Sequence, residues 1–226
     1  IVGAILVLGG CSSSSDNSTV DSDGNKVVKF MHIWPPGSSK TQNQIVESVV
    51  KKYEDDNPDV KIQIEYLENE QYKDKIKVLS SSNELPDVGV TWAAGYLKPF
   101  VEGGLMADLS DVLAKDNLKD QFVGGTTEAY AFDDKTYGLP IELNIAPVYY
   151  NKEIFKKNGL EVPTTYAEFV NVVKTLKSSG VTPIALGNKE GWTGSLWYMY
   201  LADRIGGSTL ISEAIAQEVS FENANL

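Results

Sequence analysis

The stretch KKYEDDNPDVKIQIEY, residues 51–66, changes its period in the middle. Pro58 disfavours helix at the residue before it, so a helix arriving from the N-terminal side must stop at Asn57. From there Val60, Ile62, Ile64 and Tyr66 alternate with Lys61, Gln63 and Glu65, the pattern of a strand with one covered face. Working back, Ser39 to Asn57 reads as a helix with Ile45, Val46, Val49, Val50 and Tyr53 on one face, and Val27 to Ile33 as the strand before it. Working forward, Tyr72, Ile76 and Leu79 mark a second helix. Asp87 to Trp92, after Pro86, reads as a third strand. The order β-α-β-α-β predicts an α/β fold with a parallel sheet covered by helices. Ligands of such sheets sit beyond the carboxyl ends of the strands, where Trp34 and Trp92 fall.

A second αβ run begins later. Lys152 to Asn158 reads as a short helix ending at Gly159. Thr165 and Glu168 form a capping-box pattern opening a helix whose apolar face is Phe169, Val172, Val173 and Leu176. Pro183 to Leu186 reads as a strand, and Ser195 to Ile205 as a helix closed by Gly206-Gly207, with Trp197 inside its apolar pattern. Between the two runs lies YGLPIELNIAPVYYN, residues 137–151, with Ile141, Leu143 and Ile145 on one side and Glu142 and Asn144 on the other. Such a strand is either an amphipathic surface strand or a crossing between two lobes, its polar side then facing a cleft.

Composition narrows the chemistry. The 226 residues are 42% hydrophobic and 23% charged, with a net charge of -11, a surface that repels nucleic acid and anionic lipid. One Cys (Cys11), one His (His32) and one Arg (Arg204) leave no intrachain disulfide, no Cys/His zinc site and no arginine fork for phosphate. His32 lies in the first strand and is expected to be a half-buried structural residue. No cofactor and no metal are expected.

Ile1 to Gly10, IVGAILVLGG, is too short to span a bilayer and matches the apolar region of a secretory signal whose start is missing. Leu8-Gly9-Gly10-Cys11 resembles a bacterial lipobox, in which the signal is cut before Cys and the thiol is lipidated. Ser12 to Asn25 is polar and aperiodic, the composition of a flexible tether. The expected organisation is a signal remnant (1–10), lipidated Cys and tether (11–25), a first αβ lobe (26–143), a crossing strand (144–150) and part of a second lobe (151–226).

The stretches 51–66, LPDVGVTW (85–92), PFVEGGLMADLS (99–110), YGLPIELNIAPVYYNKEIFKKNGLEVPTTYAEF (137–169) and PIALGNKEGW (183–192) together resemble the family 1 extracellular solute-binding proteins, the maltose and multiple-sugar type of ABC importer receptor. The long block from Tyr137 is the specific part. The resemblance implies a periplasmic-binding-protein-like fold, two αβ lobes joined by crossing strands, with sugar held between them, and a chain that stops inside the second lobe. It implies partners too: a sugar or oligosaccharide, the permease subunits of an ABC importer, and the membrane through the lipid anchor only, with no nucleic acid. The receptor is expected to be a monomer on the extracytoplasmic face of the cell membrane.

By local similarity Trp92 matches a sugar-contacting Trp, Asn144 a carboxylate that bonds sugar hydroxyls, and Trp192 a ring that stacks on a sugar face. Indole faces suit the C–H faces of sugars, and amides or carboxylates suit their hydroxyls. Asn144 is neutral where the maltose type is acidic, so Glu142 on the same side is expected to supply the charge. Trp34-Pro35-Pro36-Gly37 replaces a polar loop, adding Trp34 to the candidate site, and Gly95 stands where a polar contact is expected. These departures set the candidate site apart from that of the maltose type. Two other classes stay open. A glycan-cleaving envelope lipoprotein would need two carboxylates flanking a bond, for which Glu142 with Asp87 or Glu190 are the residues to hand. A receptor for a non-sugar solute, such as a polyamine, would suit the acidic balance.

Overall fold

A computed structural model describes residues 20–222. Ile1 to Gly10 and Cys11 lie outside the described residues, as does most of the tether. The end of the tether is ordered. The Asp21 carboxylate accepts from the backbone N–H groups of Asp23 and Asn25 and from the Asn25 amide. Val20 then bridges to Lys26. The polar run 20–25 is thus a closed turn leading into the sheet, because an Asx side chain can bond the backbone two and four residues on.

The chain divides into two compact units at Glu142/Leu143. Unit 1 contains a three-stranded parallel sheet of order β2-β1-β3, formed by β1 (Lys26–His32), β2 (Val60–Tyr66) and β3 (Val88–Gly89). Helices α1 (Lys40–Asp56) and α2 (Asn69–Ser82) connect the strands. The β-α-β-α-β reading therefore holds. β3 pairs over only two residues, shorter than the expected 87–92.

Alternation in β2 follows the sequence, with Val60, Ile62 and Ile64 half-buried and their neighbours exposed. α1 departs from expectation. Of its apolar face only Val46 and Val50 are half-buried, while Ile45, Val49 and Tyr53 are exposed. The buried position is Asn43, whose amide donates to the Trp34 carbonyl at 3.1 Å. With that bond in place the line 43-46-50 faces inward, which satisfies the buried Trp34 carbonyl.

The core of unit 1 is Met31, Tyr72, Ile76 and Phe100. Two short helices, α3 (Lys98–Glu102) and α4 (Ser110–Ala114), follow with several 3-10 turns. A hairpin joins β4 (Ala131–Phe132) to β5 (Lys135–Thr136). Its turn residues Asp133 and Asp134 both have positive φ, 49° and 62°, the primed turn that matches strand twist.

Unit 2 is helical among its described residues. It has α5 (Lys152–Lys157), α6 (Tyr166–Ser178), α7 (Trp192–Gly206) and α8 (Leu210–Ile215). The capping box is present: the Thr165 hydroxyl accepts from the Glu168 N–H, and the Glu168 carboxylate accepts from the Thr165 N–H. Val172 and Leu176 are buried, Phe169 and Val173 half-buried, as the α6 pattern requires. Two expected strands are absent. Neither 144–150 nor Pro183 to Leu186 is paired, and Ile141, Leu143 and Ile145 are exposed at 64%, 67% and 84%. Alternation specifies the faces of a strand, but the strand itself exists only through a ladder to a neighbour.

Candidate functional site

Two carboxyl-terminal strand ends of unit 1 are tied by one side chain. Tyr72, fully buried, donates its hydroxyl to the Val90 carbonyl at 2.7 Å and lies 3.4 Å from the Met31 carbonyl. Burial pushes its phenol up strongly. Gly89 makes this possible, because a Cβ there would stand 3.0 Å from the Tyr72 hydroxyl. Immediately beyond, Trp92 packs edge-on against Tyr96 (4.8 Å between centroids, 72°) and Tyr72 (6.1 Å, 70°). The Lys73 ammonium stands over the Trp92 ring, 4.9 Å from its centroid, and bonds Glu70 at 3.0 Å. The Tyr96 hydroxyl is buried with no hydrogen-bond partner. Burial, then the charges of Asp74 and Glu70, raise its phenol.

Trp34 is placed differently. It is 9% exposed and stacks on His32 at 5.6 Å. Its backbone N–H donates to His32 Nδ1 at 3.1 Å. His32 is fully buried rather than half-buried, ringed by Phe30, Trp34 and Tyr66. Burial lowers its pKa, with Glu47 acting weakly the other way. With so little surface, Trp34 braces the loop after β1 rather than offering a stacking face.

In unit 2, Trp192 opens α7 and is 48% exposed. Asn188 builds the start of that helix, accepting from the Gly194 N–H at 2.7 Å and the Thr193 hydroxyl at 3.1 Å. Gly194 is needed there, since a Cβ would fall 2.9 Å from the Asn188 amide. Glu142 closes unit 1, Asn144 belongs to unit 2, and both are exposed. Trp197 packs on Phe169 at 6.1 Å, the core role its helical spacing indicates.

Two of the three carboxylates named for a glycan-cleaving centre have neighbours on their own unit. Asp87 accepts from the Lys29 N–H at 2.7 Å, and Glu190 lies 3.6 Å from Lys189. Among the described residues no three His, Cys, Asp or Glu side chains gather as a metal site. No helix among them is long and apolar enough to cross a membrane.

Residues 37–223 match the family described as bacterial extracellular solute-binding protein. The chain belongs to that family. A multiple sugar-binding protein of Streptococcus mutans is 27% identical over 85% of this chain and 43% of its own length. An ABC transporter extracellular-binding protein of Pyrococcus horikoshii is 24% identical over 100% of this chain and 53% of its own. A solved structure from work on xylan utilization by the thermophilic bacterium Caldanaerobius polysaccharolyticus is 35% identical, with a TM-score of 0.73 over 88% of this chain and 50% of that one. A chitin oligosaccharide binding protein at 22% identity shares the fold, with a TM-score of 0.77. This chain thus spans about half the length of the relatives it matches.

Lys73, Tyr96 and Tyr72 went unassigned by sequence reasoning. The signal was faint but present: Tyr96 follows Trp92 by four residues, and Tyr72-Lys73 lies where α2 leaves the strand ends.

Proposed function

We propose that the complete protein is the extracytoplasmic receptor of an ABC importer and binds a sugar, an oligosaccharide in particular, without chemistry. The observation that carries this is the Trp92 indole, fixed by two tyrosines beyond the carboxyl end of a parallel strand. That is where α/β sheets bind ligands, and the ring has the apolar face a sugar needs. Relatives named for sugar and ABC-transporter binding support the same reading. Trp92, Glu142, Asn144 and Trp192 are the proposed contacts, and the permease subunits the proposed protein partners. Trp92→Ala or Trp192→Ala in the full-length receptor should lower sugar affinity about tenfold to thirtyfold, the loss of roughly 2 kcal/mol typical of a buried aromatic anchor. Calorimetry against a sugar library, with melting curves to verify folding, measures this. Unchanged affinity in both variants refutes the site.

The proposed location is the outer face of the cell membrane, held through lipid on Cys11. Cys11→Ala in the complete precursor should move the protein out of the membrane fraction. A protein that stays there and shows no lipid mass on Cys11 contradicts the anchor.

A further inference from the structure

The corner around Trp92 carries the groups that recognise an ammonium ion. Two aromatic rings, Trp92 and Tyr96, meet edge to face. Two carboxylates, Glu70 and Asp74, bear on the same phenol. A cation over an indole is attracted by the ring quadrupole, more strongly when water is excluded. The cation present belongs to the chain itself. Lys73 Nζ lies 4.9 Å from the Trp92 centroid and 3.0 Å from Glu70 Oε1. Its side chain is 19% exposed, against 75% for Lys51 and 94% for Lys189. Lys73 is thus held and largely covered, unlike a free surface lysine.

We propose that Lys73 fills a cation place on the face of Trp92 from within the chain, and so restricts the proposed sugar site to ligands uncharged at that point. An incoming ammonium would meet the Lys73 charge at short range in a partly dry corner, where like charges repel strongly. A sugar hydroxyl meets no such barrier and can accept a hydrogen bond from the same ammonium. A receptor for amines would need this place empty. The proposal rests on the reading that Trp92 faces the ligand, and makes Lys73 a specificity-determining residue.

The test uses the full-length receptor and a probe that is the Lys73 side chain cut free: n-butylammonium, with 1-butanol as its uncharged counterpart. Lys73→Ala opens the place. Calorimetry should show the variant binding n-butylammonium roughly tenfold more tightly than the native protein does, the scale of one cation–π contact. The Trp92 indole N–H signal, identified by its loss in Trp92→Phe, should shift with n-butylammonium and not with 1-butanol. If Lys73→Ala does not fold, Lys73→Met, which keeps the stem and removes the charge, is read with methylammonium against methanol and should show the same preference. Binding no tighter than in the native protein, or equal responses to amine and alcohol, overturns the proposal. No sugar enters these measurements, so their failure is separate from failure of the sugar reading, which the Trp92→Ala sugar titration decides.

Discussion

At the scale of single residues the most telling side chain is His32. Its Nδ1 accepts from the Trp34 backbone N–H, while its Nε2 is buried with no partner. Burial lowers its folded pKa below the ordinary histidine value of about 6.5. The unfolded chain therefore takes up a proton that the folded chain refuses. The stabilising contribution is fully present above 6.5 and is lost as pH falls toward the lowered folded value. Melting temperature should drop more steeply between neutral and mildly acidic pH in the native protein than in His32→Gln, by the uptake of at most one proton. Parallel pH curves for the two would show that His32 does not titrate on unfolding. The sequence placed His32 in a strand and made it structural. It did not show full burial, because burial depends on the three rings that close around it, from β1, its following loop and β2.

At the scale of elements, the readings that held rest on local chemistry. The stop at Pro58, the alternation of β2 and the Thr165/Glu168 box each need only residues within one turn or one strand. Other readings depend on a neighbour. The stretch 144–150 and Pro183 to Leu186 alternate or run apolar, yet no ladder forms on them. α1 shows the same limit in a helix: its apolar residues were legible, but the face turned inward is the one that carries Asn43, bonded to the Trp34 carbonyl. The β4–β5 hairpin was missed because its turn residues, Asp133-Asp134, are a less familiar primed-turn pair than Asn-Gly or Asp-Gly.

At the scale of the whole molecule, the two units are joined by an exposed stretch. Every residue from Ile141 to Glu153 is exposed, and helix resumes only at Lys152. Proteases cut where backbone opens at little cost. Limited proteolysis of this 226-residue chain should cleave first within 141–151 and leave unit 1, whose core is Met31, Tyr72, Ile76 and Phe100. Early cuts inside α1 or α2 instead would mean that unit 1 is the weaker part.

The sequence by itself determined the class of this protein: a β-α-β-α-β start, a capped second run, and blocks of residues whose family match covers 37–223. It also marked Trp92 and Trp192 as positions to watch. These are properties of period, of turn residues and of order along the chain, all local. Only the tertiary structure decided what surrounds those rings. It turned Trp34 inward onto His32 and set Tyr96 and Tyr72 in edge-to-face contact with Trp92. It laid Lys73 on the Trp92 face from a helix nineteen positions earlier in the chain. Contacts of that kind depend on how a helix is rotated over a sheet. That rotation is settled by packing and by the partners of a few buried polar groups, which no local pattern encodes.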